Sequence, residues 1–161
     1  MTPLISTPDF SQVWHGHCPS DLACDFLRRG GALRIRVRGG SMLPFVRDGD
    51  VAVIRSAEVG EIAVGDVVLY EAAPEQLVLH RVARREGNAL IARGDALPDC
   101  EAVDPARVLG RLVALERNGR ARRLDTRGAR LRGRAIAALA PLVARMLPAA
   151  RSARRAWYGR G

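Results

Sequence analysis

The segment Leu33-Arg34-Ile35-Arg36-Val37-Arg38-Gly39-Gly40-Ser41-Met42-Leu43-Pro44 changes character at its midpoint. Leu33, Ile35 and Val37 alternate with Arg34, Arg36 and Arg38, a period of two that predicts a strand with one wet face. Two glycines then free the backbone, and a serine follows them directly. Placed there, its hydroxyl can be held exposed with a substrate backbone close by, while the apolar residue and Pro44 fix the turn. Gly-Gly-Ser by itself is ordinary loop chemistry, so its meaning depends on what surrounds it.

Downstream, short apolar runs are separated by turn residues. Strands are predicted at Val51–Arg55, Asp66–Glu71, Gln76–Arg84, Ala89–Arg93, Arg107–Glu116 and Arg120–Leu124. The turns between them carry Asp-Gly-Asp at 48–50, Val-Gly-Asp at 64–66, Glu-Gly-Asn at 86–88 and Arg-Asn-Gly at 117–119. Asp50 and Asp66 read as turn residues of this kind and receive no catalytic role. Many short strands with glycine turns make residues 31–125 an all-β domain.

Upstream, residues 1–30 form an arm and a short helix. Residues 1–18 show neither period, whereas Pro19-Ser20-Asp21 starts a helix to about Arg29, with Leu22, Ala23, Phe26 and Leu27 on one face and Gly30-Gly31 as the stop. Beyond Gly128, Leu131, Ala135, Leu139, Leu142, Val143, Met146 and Leu147 recur at helical spacing among arginines, and Pro141 and Pro148 are expected to kink or interrupt that helix.

Charge follows the same divisions. All 26 basic residues are arginine, with no lysine among the 161. Residues 1–125 hold 17 Arg and 17 Asp plus Glu, so the remaining nine Arg, in an acid-free stretch at 126–161, carry the whole net charge of +9. This is a neutral domain with a cationic appendage. Aromatic content of 4% argues against a base-stacking RNA-binding sheet. Three scattered cysteines (Cys18, Cys24, Cys100) do not make a disulfide framework. Met1–His17 lacks a secretory signal, and the longest Arg-free apolar run, 135–144, is half the length of about 20 that a spanning helix needs. The expected location is cytoplasmic or peripheral to a membrane.

Chemistry enters with His80, which lies on a predicted strand in Leu77-Val78-Leu79-His80-Arg81-Val82. After a hairpin and another strand comes Arg93-Gly94-Asp95-Ala96-Leu97-Pro98-Asp99. Serine, histidine and carboxylates delivered by one small sheet can supply nucleophile, base and orienting acid. His15, His17, Cys18 and Cys24 fit no common zinc spacing, and no metal or cofactor is expected. Cys100 reads as an ordinary small residue.

These blocks resemble the signal-peptidase and LexA-like serine peptidases. The resemblance lies in Gly40-Ser41-Met42-Leu43-Pro44 with Gly49-Asp50-Val51, Gly65-Asp66-Val67-Val68, His80-Arg81-Val82, and Arg93-Gly94-Asp95 through Val108-Leu109-Gly110-Arg111. It covers about Val37 to Leu112. Most bacterial members use a lysine base, which this lysine-free chain excludes; the His-Arg block is similar to the endoplasmic-reticulum-like branch. The resemblance implies a mainly β, compact peptidase domain with Ser41 as nucleophile, His80 as general base and Asp99 or Asp95 as the orienting acid. Asp99 is favoured, with Asp95 then bracing the loop. It also implies the Ser41 N–H as oxyanion donor, and Gly39 where many bacterial relatives place an assisting hydroxyl. The expected activity is endoproteolytic removal of a leader or signal segment from a protein substrate, in a pocket shaped by Val37 and the residues flanking His80. The rival is an inactive peptide-binding adaptor. The relatives' hydrophobic anchor before the serine block has no counterpart here. Residues 126–161 are expected to cap the sheet with their apolar stripe or to touch an anionic membrane, Trp157 and Tyr158 serving as interfacial anchors. Nucleic acid is the less favoured partner, since about 30 residues before the β domain are too few for a DNA-binding domain.

Overall fold

The computed structural model describes residues 20–146. Helix α1 (Ser20–Arg28) leads into strands β1 (Ala32–Arg36), β2 (Val51–Arg55), β3 (Val67–Ala73), β4 (Gln76–Glu86), β5 (Ala89–Arg93), β6 (Glu101–Val103), β7 (Val108–Arg117) and β8 (Arg120–Arg123), and the chain ends in helix α2 (Arg127–Met146). All eight strands belong to one antiparallel sheet of order β1-β2-β7-β3-β4-β5-β6, with β8 on β7. The mainly β class with a helix at each end is as expected, and strand ends differ by a residue or two. β6 is the addition: at three residues it is too short for a period to register.

β7 holds the sheet together by pairing with β2 through Arg111–Glu116 and with β3 through Val108–Arg111. The sheet therefore curls and covers two cores. Val67, Leu69 and Leu79 join Leu27, Leu33, Met42, Ile54 and Leu112 in one. Val68, Tyr70, Val78 and Val82 join Ile62, Leu90 and Val103 in the other. Strands buried on both faces need apolar residues at successive positions. Val67-Val68-Leu69-Tyr70 and Leu77-Val78-Leu79 are continuous for that reason, whereas the edge strand β1 alternates.

α2 departs from expectation twice. It runs on past Pro141 without interruption, and the two leucines of its stripe whose side chains are described, Leu131 and Leu139, do not cap the sheet, being 69% and 56% exposed. The helix docks instead through Gly133 and Ala137, which are buried. A Cβ on Gly133 would lie 2.6 Å from the Gly65 carbonyl oxygen, so backbone meets backbone at a distance only glycine permits. Proline removes the N–H that would reach back four residues to the Ala137 carbonyl. The buried Arg93 guanidinium donates to that oxygen at 3.1 Å, so the helix continues with its orphaned acceptor satisfied. Pro148 and the irregular arm of residues 1–18 lie outside the described residues.

Candidate active site

The serine loop between β1 and β2 is stitched at its base. Val37 N–H donates to the Asp50 carbonyl at 2.8 Å and Gly49 N–H to the Val37 carbonyl at 2.9 Å. Asp50, 4% exposed, accepts from Arg47 N–H and takes Arg117 on both carboxylate oxygens at 2.7 and 2.6 Å. The Arg117 guanidinium hydrogen-bonded to it holds the Asp50 carboxyl below the usual range. Gly39 N–H donates to Asp48 Oδ1 at 2.8 Å, with φ of +88° at Gly39, where glycine is the fitting residue. The Leu43–Pro44 peptide is cis.

β5 leaves β4 after the Arg81–Arg93 pair, and the next residues meet this loop. Ala96 N–H donates to the Ser41 carbonyl at 2.9 Å. A Cβ on Gly94 would fall 2.6 Å from that same oxygen, which accounts for a glycine there. The Ser41 backbone is thus anchored to the segment that departs beside His80. Among the described residues, neither the hydroxyl nor the N–H of Ser41 has a hydrogen-bond partner, and no bond joins Ser41 to His80. Ser41 lines a groove of about 300 Å³ with Ile35, Val37, Met42, Leu69, Leu77 and Leu79. From Gln76 to His80, β4 pairs with β3 alone, so its other edge is open along this groove.

The imidazole of His80 sits on the alternate face of β4, with Val78 and Val82. It is 6% exposed, and burial pushes it down to about 4 from the ordinary 6.5. Its Nδ1 lies 2.9 Å from Glu101 Oε1 and 3.0 Å from the Tyr70 hydroxyl. An ionised carboxylate only accepts, so this bond places the ring proton on Nδ1 and leaves the Nε2 lone pair for other work. Partial burial raises the Glu101 carboxyl above its usual range.

Asp95 is elsewhere. Its two oxygens receive Arg81 Nε and an Arg81 terminal nitrogen at 2.8 and 2.7 Å, with both side chains 3% exposed. Arg81 also donates to the Gly65 carbonyl at 2.8 Å and lies 4.5 Å over the Phe45 ring. Asp95 therefore braces the floor under the serine loop through Arg81. Asp99 is exposed on the loop before β6. The acid bonded to the imidazole is Glu101, two residues further on, which sequence reasoning passed over. Its only sequence signal is its place two residues before apolar Val103, on the same face of a strand of three residues. Pairing with β5, where Ala92 faces Glu101, is what carries it to His80. Among the described residues no group of His, Cys, Asp or Glu could hold a metal ion. The cluster of His15, His17 and Cys18 lies outside them.

A curled antiparallel sheet that presents a Gly-Gly-Ser loop over an open strand edge, with a buried ion pair beneath it, has the serine-peptidase fold of the LexA and signal-peptidase type. The chain belongs to the Peptidase S24-like family, whose profile matches residues 11–113. No curated protein matches it, and neither does any solved structure.

Proposed function

We propose that this protein is a serine endopeptidase of the Ser-His kind that removes a leader or signal segment from a protein substrate. The observation that carries this reading is the Glu101-anchored imidazole of His80, on the last residue of a strand edge that opens onto the groove holding Ser41. An extended peptide can add to the free edge of β4 by main-chain hydrogen bonds and place small or aliphatic side chains against Val37, Met42 and Leu79. With a carbonyl at the end of that edge, Ser41 Oγ attacks the carbonyl carbon while Nε2 of His80 takes the hydroxyl proton. The unpartnered Ser41 N–H is available to the oxyanion. Nε2 then returns the proton to the leaving amine, and water hydrolyses the acyl-enzyme by the same sequence. The imidazole shares one face of β4 with Val78 and Val82, whereas Leu77 and Leu79 line the groove from the other, so this chemistry requires the ring or the serine loop to move until Oγ and Nε2 meet in the substrate complex. The His base supports membership of the endoplasmic-reticulum-like branch, as does a chain without lysine.

One observation favours a second reading. Because Ser41 and His80 are not bonded to one another, the groove could hold a peptide without cutting it, as an adaptor does. Mass spectrometry of a co-expressed leader-bearing precursor separates the two. Cleavage by the wild type that is lost in Ser41→Ala supports the peptidase; a precursor bound but uncut by both proteins supports the adaptor.

A further inference from the structure

We infer that the outward face of α2, together with β8, is a docking surface for an anionic phospholipid membrane, and that it sets the serine loop against that surface. Leu131 and Leu139 are exposed two helical turns apart, on the side away from the residues that dock α2. Presenting leucines outward and burying small residues inward is the reverse of a helix built to cover its own domain. The exposed leucine face continues into a groove of about 330 Å³ that Leu139 lines with Ile136, Pro44, Phe45 and Arg122, its one carboxylate, Asp95, being taken by Arg81. Pro44 and Phe45 belong to the serine loop, so this groove borders that loop.

Charge selects the occupant. No acidic residue follows Asp125 in the sequence. Arg120 and Arg122 are exposed on β8 and make no ion pair among the described residues. Exposed leucines with Arg122 beside Leu139, and Arg120 two residues before Arg122 on β8, fit acyl chains below anionic headgroups. A nucleic acid would use the arginines and leave the leucines in water. A second copy would bring one +9 chain against another.

The test is co-sedimentation of the full chain with vesicles of phosphatidylcholine alone or mixed with phosphatidylglycerol. The wild type and Ser41→Ala are expected to sediment equally with the mixed vesicles and to be released by salt, so binding is scored separately from catalysis. Leu131→Gln with Leu139→Gln should weaken binding about tenfold or more. Arg120→Gln and Arg122→Gln should each weaken it about fivefold. Both pairs are exposed, so unchanged melting will show that they fold. Three outcomes overturn the inference: no binding to anionic vesicles, binding that neither pair alters, or binding that only the arginine pair alters, which points to phosphate recognition such as that of DNA. A dimer that dissociates in the leucine pair would overturn it in favour of self-association.

Discussion

At the scale of single residues, His80 and Glu101 decide how the site responds to pH. Burial holds the imidazole neutral down to about 4, so its Nε2 stays available as a base well into acid. For a leader substrate, kcat/KM is expected to be flat from about pH 8 to 5.5 and to fall near 4, whereas a solvated histidine would place that fall near 6.5. Glu101→Gln removes the charge that favours the imidazolium and substitutes an amide that can donate as well as accept, so the tautomer is no longer fixed. The rate should drop about 10²-fold, less than for a fully buried acid because the Glu101 side chain is 40% exposed. The acid limb should also move to still lower pH, a shift that simple loosening of the fold would not produce. A limb centred at 6.5 in both proteins would mean that the ring is solvated and uncoupled from Glu101 in the working enzyme, and loss of the limb in His80→Gln would still be needed to assign it to His80.

At the scale of elements, the decisive feature is how α2 is fastened. Gly133 against Gly65 sets the distance, and Arg93 on the Ala137 carbonyl replaces the hydrogen bond that Pro141 cannot make. Arg93→Met is expected to cost about 1–3 kcal/mol by leaving that acceptor unsatisfied. Pro141→Ala restores an N–H four residues on, so the same Arg93→Met change made in that background should cost less. Urea melts of the four proteins give the coupling as a double-mutant cycle. Additive costs would mean that Arg93 does not serve the helix. Arg93 directly precedes the Gly94–Ala96 segment that holds the Ser41 carbonyl, so this fastening ties α2 to the serine loop.

For the molecule as a whole, two cores share the central strands, and a titratable ring is buried beside the second. The sign of its effect on stability follows from its depressed value. The unfolded chain takes up a proton near 6.5 and the folded one near 4, so stability is complete above about 6.5 and is lost as pH falls through that window. The loss amounts to about 3 kcal/mol. Glu101, shifted upward, acts in the opposite sense near its own range and offsets part of it. Thermal melts of His80→Gln should show a flatter dependence on pH between 6.5 and 4 than those of the wild type. Equal slopes would mean that the ring is solvated. No helix among the described residues is long and apolar enough to cross a membrane.

The alternation of Leu33, Ile35 and Val37, the glycine turns and the continuous apolar runs of β3 and β4 are local patterns. They determined that the chain forms short strands, that Ser41 falls on the loop after the first of them and that His80 falls within a later one. The acid partner was not a local matter. Asp95, Asp99 and Glu101 lie within seven residues and carry the same charge. Only the pairing of β6 with β5 aims Glu101 at the imidazole, while Arg81 takes Asp95. Helical spacing likewise predicted α2, but it could not tell which face would turn inward. That was decided by the close approach of Gly133 to Gly65, since two backbones in contact leave leucines no room on that side.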